Sequence, residues 1–219
     1  MLELTEGWQE EYQWLCRQRA HFPPRADIWH LRFHWPAEQT AITTALQQQT
    51  YRLNPLERIT KGNGEVIHLR CSRDALVMKR LATRLRGCLP LSSRCTHVKG
   101  NGGLKATVSE VQRQLPRYRY VIRTDIKGYY EHIDQMVLLQ QLEGVIKDRF
   151  VMNLLVQAIR RTVHWGGLYQ DVHQGIARGC PLSPLLGALY LKSVDQAFTK
   201  SGLFPVLRPL YGSVIWMTS

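Results

Sequence analysis

The sequence lacks several patterns that would indicate other classes of protein. Its five cysteines form no Cys-x-x-Cys pair and its histidines have no paired metal-ligand spacing, which excludes a recognisable zinc site or disulfide framework. The N-terminal stretch MLELTEGWQEEYQWLC is acidic and has no continuous apolar core, so it does not resemble a signal peptide. No stretch approaches the length of a membrane span. We therefore expect a protein of the reducing cytoplasm with no membrane partner.

Acidic residues are also few. The 219 residues include 17 Asp and Glu against 29 Lys and Arg, a formal net charge of +12, and the excess is spread along the whole chain. A field of this sign favours a polyanionic partner, most simply nucleic acid, although a merely basic soluble protein is the alternative. With 44% apolar residues the chain can form one sizeable core or two small ones.

Periodicity predicts a succession of helices and strands. Residues 1–22 favour a helix, and residues 26–60 hold nearly alternating aromatics that favour strands with an irregular connection. KGNGEVIHLR favours a turn and a strand, and SRDALVMKRLATRLRGCLP favours an N-capped helix. The glycine-rich GNGG leads into another helix from about Lys105. Residues 135–163 favour further helical segments, and SPLLGALYLKSVDQAF favours a helix that begins at Ser183 with proline in its first turn.

Two stretches contain candidate ligand-binding residues. VIRTDIKGYYEHID, residues 121–134, places Asp125 at the end of an apolar, β-branched run, where a sheet can fix a metal ligand at the edge of a cleft. Asp134 falls where the next helix begins and is interpreted as a helix cap or a surface acid. GIARGCPLSP is a loop before a helix N-terminus, where backbone amides can hold phosphates or a nucleotide. Taken alone, this loop is more simply an ordinary connection to a core helix.

Taken together, the two stretches resemble a known pair of motifs. Asp-Ile-Lys-Gly-Tyr-Tyr-x-x-Ile-Asp, followed by Arg-Gly-Cys-Pro-Leu-Ser-Pro-Leu-Leu, is similar to the first two palm motifs of reverse transcriptases of the bacterial group II intron-like and retron-like branch. The resemblance covers about residues 60–204. It implies an α+β fold, the fingers and partial palm of a right-hand polymerase, with Asp125 at the end of a central antiparallel strand. It also divides the chain into an N-terminal extension (1–60), a fingers-like region (61–120) and a partial palm (121–204).

The resemblance implies roles for residues of the palm. Asp125 would bind two catalytic Mg²⁺ ions, with the backbone carbonyl of Ile126 helping to hold one of them. Tyr130 would act as the steric gate that rejects a ribose 2′-hydroxyl. Arg178 and Gly179 belong to the loop that would line the nascent base pair, and many members of the family have glutamine where this chain has Arg178.

The basic residues of the fingers-like region would grip the template and the incoming triphosphate. Nucleotide contacts are expected from Arg70, Lys79 and Arg80, and nucleic-acid contacts from Arg73, Arg84 and Lys99. The alternative is a solvated cationic helix face with no ligand.

The acids needed for catalysis are incomplete in this sequence. Nucleotidyl transfer uses two divalent ions roughly 4 Å apart, and hard cations require oxygen ligands. Reverse transcriptases supply further carboxylates from a third motif, aromatic-x-Asp-Asp, yet no acid follows Asp195 here. The sequence therefore contains Asp125 but not the Asp-Asp pair that the resemblance requires.

A shifted reading frame accounts for the missing pair. Trp216 and Met217 have one codon each, TGG and ATG, and the codon of Thr218 must begin with AC. A reading frame that starts at the third base of the Trp216 codon therefore reads GAT-GAC, which encodes Asp-Asp. In the same frame, the codon of Ile215 restricts the residue before the pair to methionine or leucine. The codon of Val214 restricts the residue before that one to tyrosine, histidine, asparagine or aspartate. Any Trp-Met-Thr hides the same Asp-Asp by chance, but its position where Tyr-Met-Asp-Asp is due favours a frameshift.

Two functions remain open from the sequence. In the first, the chain is a fragment of an RNA-directed DNA polymerase that adds dNTP to the 3′ end of a DNA primer on an RNA template, and residues 205–219 are an out-of-frame, poorly packed tail. Such a fragment would be inactive by itself. In the second, it is a non-catalytic, maturase-like module that binds RNA. The oligomeric state is left open.

Overall fold

Helices and two small sheets alternate along the chain. The computed structural model describes residues 4–5, 7–92, 95, 98, 102–200, 204–207 and 214–218. The first part contains α1 (Gln9–Gln18), α2 (Asp27–Phe33), α3 (Trp35–Gln47), β1 (Leu56–Thr60), β2 (Val66–Leu69), α4 (Ser72–Leu85) and α5 (Gly103–Gln114). The second contains β3 (Tyr120–Thr124), α6 (Tyr129–His132), α7 (Gln135–Glu143), α8 (Arg149–Ile159), β4 (Thr162–Trp165), β5 (Leu168–Asp171), α9 (Ser183–Tyr190), α10 (Lys192–Lys200), β6 (Phe204–Leu207) and β7 (Val214–Thr218). This mixture confirms the predicted α+β class.

The strands form two separate sheets. The four-stranded sheet has the order β2-β1-β4-β5, with β1 and β4 parallel and the outer pairs antiparallel. Gly166 and Gly167 join β4 to β5 with positive φ angles of 57° and 81°, which suits a two-residue hairpin turn. The three-stranded sheet has the order β3-β7-β6. Asp125 follows β3 as expected, but β3 is an edge strand of this sheet in the described residues, not a central one.

Helix α4 lies at the centre of the hydrophobic core. Its apolar residues are buried, among them Ala75, Leu76, Met78, Leu81, Ala82 and Leu85. The helix packs against α1 and α2. Ser72 does not cap α4 as we expected, because the cap position is Cys71 and the Ser72 hydroxyl instead donates to Asp27 at 2.8 Å. The helix is therefore held by packing and by this contact with α2.

The prediction of strands across residues 26–60 is wrong for most of that range. The structure forms α2 and α3 there, and only β1 is a strand. The buried residues Ile28 and Leu31, then Ile42 and Leu46, recur at helical spacing, whereas Phe33 is 83% exposed. The alternating aromatics misled the prediction because they do not share one buried face.

The C-terminal segment also differs from expectation. We expected residues 205–219 to have no fold of their own, yet β6 and β7 pair antiparallel and β7 pairs with β3. The frameshift itself stays a prediction. No disulfide joins the five cysteines, all of which lie in the described residues. Across the described ranges, no helix is both long and apolar enough to span a bilayer.

A buried carboxylate joins α4 to the segment before β1. Asp74 is fully buried and accepts hydrogen bonds from the Tyr51 hydroxyl at 2.8 Å and from the Asn54 backbone N–H at 2.7 Å. Burial raises the pKa of Tyr51 far above its usual value, and the charge of Asp74 raises it further, so the hydroxyl stays protonated and donates.

We predict that Tyr51→Phe lowers the free energy of unfolding by about 1.5–3 kcal/mol, because a buried carboxylate loses one of its donors. Urea denaturation followed by circular dichroism would measure the change. Tyr169→Phe is the control, since the Tyr169 side chain is exposed and should change stability by less than about 0.5 kcal/mol. Equal stability of the two variants would contradict the role assigned to Asp74.

Candidate active site

Two segments that are distant in sequence pack tightly together. Helix α6 begins after Gly128, whose φ of 61° turns the chain at the end of β3. The turn directs Tyr129 and Tyr130 inward, where both are buried. The Tyr129 hydroxyl donates to the carbonyl of Gly187 in α9 at 2.6 Å. The first predicted motif is thereby bound to α9, whose first turn belongs to the second motif.

Backbone contacts extend this packing to the loop before α9. The Gly175 N–H donates to the Ile133 carbonyl and the Ile176 N–H donates to the Tyr130 carbonyl, both at 2.8 Å. A Cβ on Gly175 would lie 2.5 Å from the Tyr130 carbonyl oxygen, and one on Gly187 would lie 2.9 Å from the Tyr130 ring. These approaches are too close for any side chain, so glycine is required for the contact.

The packing creates a cavity of about 380 Å³ between the two motifs. The residues that line it are Asp125, Ile126, Gly128, Tyr129, Tyr130, Arg178 and Gly179. This set includes every palm residue that the sequence predicts for metal, nucleotide or base-pair contact. The structure therefore brings the palm site residues together, although their individual roles stay predictions.

Arg178 is oriented by an acid that the sequence analysis did not identify. Its guanidinium lies 2.8 Å from the Glu131 carboxylate, and both side chains remain more than half exposed at the cavity mouth. The charge of Arg178 also contributes to lowering the pKa of Glu65, although the main cause is the hydrogen bond from Lys61. Arg178 therefore lies between α6 and the hairpin that joins β1 to β2.

Among the described residues, the predicted ligands of the fingers-like region do not line this cavity. Arg80 is buried between Glu11, at 3.3 Å, and the Trp8 ring. Arg73 forms an ion pair with Glu38, and Lys79 lies over the Trp14 ring.

Arg84 is only half-buried, while Arg70 is buried near Arg161. Lys99 lies outside the described residues. The basic face of α4 therefore packs mainly against the N-terminal helices, and its nucleotide or nucleic-acid contacts stay predictions.

Two further residues support the loop from inside. The Gln135 side-chain amide donates to the carbonyls of Ile159, Val172 and Gly175. Arg161 donates to the Gly175 carbonyl at 2.8 Å. Burial lowers the pKa of Arg161, and the nearby charge of Arg70 lowers it further. No local pattern marks these residues, because their role depends on contacts made after folding.

Asp134 has the role that we predicted. It is the N-cap of α7, and its carboxylate accepts from the backbone N–H groups of Met136 at 2.8 Å and Val137 at 3.1 Å. Asp134 is therefore engaged in helix capping rather than in the cavity.

The donor set for Mg²⁺ is incomplete in the described residues. They include no cluster of three or more His, Cys, Asp or Glu side chains that could hold a metal ion. Asp125 and the Ile126 carbonyl line the cavity together, but one carboxylate does not provide the ligands of a two-metal centre. We therefore derive no catalytic step through metal from these residues.

Known proteins are similar to this chain in sequence or in fold. The group II intron-encoded protein LtrA of Lactococcus lactis subsp. cremoris is 24% identical over 162 residues, covering 71% of this chain and 27% of LtrA. Protein YkfC of Escherichia coli (strain K12) is 30% identical over 80 residues, 36% of this chain and 21% of YkfC. A chain of the partial Cas6-RT-Cas1–Cas2 complex matches 99% of this chain with a TM-score of 0.59 and 15% identity. The chain is reverse transcriptase-like. No protein-family model matches it.

This reverse transcriptase-like chain corresponds to only part of its relatives. It spans about a quarter of the length of the curated relatives it matches, and 38% of the matched chain in the Cas6-RT-Cas1–Cas2 complex. The shared fold confirms the predicted polymerase architecture.

Gly175→Ala should destabilise the protein by at least about 2 kcal/mol more than Gly166→Ala. Both glycines have positive φ, but an added Cβ would meet backbone atoms within 3.0 Å only at Gly175, whereas Gly166 faces open space. Urea denaturation of the two variants would measure the difference. If both variants lose the same stability, the close contact between the loop and Tyr130 does not hold the site together.

Proposed function

We propose that this chain is the fingers and partial palm of an RNA-directed DNA polymerase. In this proposal the cavity receives the incoming dNTP opposite an RNA template, beside the 3′ end of a DNA primer. One observation carries the proposal: residues from two separated motifs, Asp125 and Tyr130 in one and Arg178 and Gly179 in the other, line the same cavity.

The side chains suit this ligand in distinct ways. Tyr130 is buried and its ring packs against Gly187, which limits the space into which the ring could move and supports its proposed role as a steric gate. Arg178 supplies a cation at the cavity mouth, where a triphosphate or a base edge could displace part of its contact with Glu131. Asp125 and the Ile126 carbonyl supply oxygen atoms that could hold part of an Mg²⁺ coordination shell.

The incomplete carboxylate set favours one alternative, a non-catalytic maturase-like module. In that case the same basic chain binds RNA without nucleotide addition. The two functions differ in one measurable property, because only the polymerase would extend a primer once the missing acids are supplied.

We predict that the chain binds an RNA–DNA primer–template mainly through phosphates, given its formal net charge of +12. Its affinity should then fall at least about ten-fold between about 50 and 200 mM salt, because each neutralised phosphate releases counterions. Fluorescence anisotropy with a labelled primer–template would measure this. A salt-insensitive affinity, or no binding at low salt, would contradict both proposed functions.

We expect no primer extension from the 219 residues with Mg²⁺ and dNTP, because the sequence contains no Asp-Asp pair in this reading frame. A protein read through the shifted frame into Tyr-Met-Asp-Asp and beyond should extend a primer. Asp125→Asn in that protein should then reduce extension to background, since a bridging anionic ligand is lost.

Denaturing gel electrophoresis of a labelled primer would show these results. Extension by the 219-residue chain itself would mean that the acids come from elsewhere and that the proposed site is wrong. A shifted-frame protein that binds RNA but never extends a primer would favour the maturase-like function.

A further inference from the structure

The two faces of the four-stranded sheet differ in charge. Strand register places Arg58, His68, Trp165 and Leu168 on one face, which we call the cationic face. The strands contribute no Asp or Glu to it. The opposite face carries Glu57, His164, Tyr169 and Asp171, and its acids have local partners: Glu57 binds His164 at 2.9 Å and Asp171 accepts from Thr162 at 2.6 Å.

The cationic face leads into the candidate active site. At one end, Leu56 and Val163 are buried under Ala177, the residue next to Arg178. Farther along the same face the strands become exposed, and Trp165 and Leu168 are 55% and 69% accessible. A ligand strand could therefore run from the cavity onto this face without crossing the sheet.

Positive charge on this face is not neutralised by carboxylates. Neither Arg58 nor His68 forms an ion pair with an acid among the described side chains, and the Arg58 guanidinium lies 4.5 Å from the centre of the Trp165 ring. The pKa of His68 is lowered first by partial burial and then by the charges of Arg161 and Arg58. His68 is therefore mostly neutral at pH 7, and Arg58 supplies the positive charge of this face, which suits an anionic ligand.

An exposed indole beside an arginine matches one ligand chemistry especially well. Unpaired bases stack on exposed aromatic rings, and their phosphates interact with neighbouring cations. A duplex offers its phosphates but keeps its bases stacked internally. An exposed aromatic ring in a cationic surface therefore favours a single strand over a duplex.

We propose that the cationic face binds single-stranded nucleic acid, with an unpaired base stacked on Trp165 and its phosphates close to Arg58 and His68. This site is separate from the cavity at Asp125. Identification of the bound strand as the unpaired template rests on the proposed polymerase function, whereas single-strand binding does not.

The experiment compares Trp165→Ala with Tyr169→Ala in the 219-residue chain. Both residues are exposed on the same hairpin, but they lie on opposite faces of the sheet. The probes are a fluorescein-labelled oligouridylate and an abasic oligonucleotide of the same length, measured by fluorescence anisotropy at low salt. Circular dichroism and thermal melting confirm that each variant is folded, and Trp165→Phe is the conservative variant.

We expect Trp165→Ala to weaken oligouridylate binding by about five-fold or more, because stacking on an aromatic ring is lost. Tyr169→Ala should bind like the unaltered chain, and Trp165→Phe should recover most of the affinity. The abasic oligonucleotide should bind the unaltered chain and Trp165→Ala equally, since it has no base to stack.

Four results would overturn the inference. Unchanged oligouridylate binding by Trp165→Ala would mean that the exposed indole serves another contact, while the polymerase proposal would stand. Equal losses in Trp165→Ala and Tyr169→Ala, or an equal loss with the abasic probe, would mean that base stacking on this face does not occur. Failure of the unaltered chain to bind any oligonucleotide would overturn both this inference and the proposed function.

Discussion

The site depends on the contact between the α6 turn and the glycine-containing loop before α9. Two backbone hydrogen bonds and the Tyr129 hydroxyl hold these segments together, and Gly175 and Gly187 allow the approach. Asp125 precedes this contact and Arg178 follows it closely in sequence. The hydrogen bonds of the Gly175 and Ile176 N–H groups are made by backbone atoms and do not involve the side chain at position 178. They are therefore compatible with arginine at a position where many reverse transcriptases have glutamine.

The scarcity of acids determines where the positive charge of the chain remains available. In the N-terminal helices the few carboxylates are used as partners for buried or half-buried cations, as Glu11 is for Arg80 and Glu38 for Arg73. Removing either partner would leave a charge in a poorly solvated place. In the sheet, Arg58 has no carboxylate partner among the described side chains, whereas Arg178 at the cavity mouth is paired with Glu131. The positive charge of Arg58 therefore remains available on the sheet.

The sequence was informative where a local rule determines the structure. The helix cap at Asp134, the apolar face of α4 and the meeting of the two motifs all follow from spacing or from the family resemblance. The roles of other residues depend on contacts with elements that are distant in the sequence. Arg80 has the same local pattern as a surface arginine, and only the approach of α1 shows that it is buried. Arg161 likewise supports the loop only because the folded chain brings the Gly175 carbonyl within hydrogen-bond distance of its guanidinium.

The register of the second sheet constrains the frameshift hypothesis. Thr124 pairs with Val214, so β7 begins where β3 ends, beside Asp125. The codons that hide Asp-Asp overlap those of Trp216 to Thr218, which pair with Ile122 to Tyr120. At about 3.3 Å per residue, acids there would lie roughly 10–15 Å back from Asp125, too far to share metal ions roughly 4 Å apart. A chain read in the shifted frame must therefore pair with β3 in a different register, with its turn at the Asp-Asp, if Asp125 is to join a two-metal site.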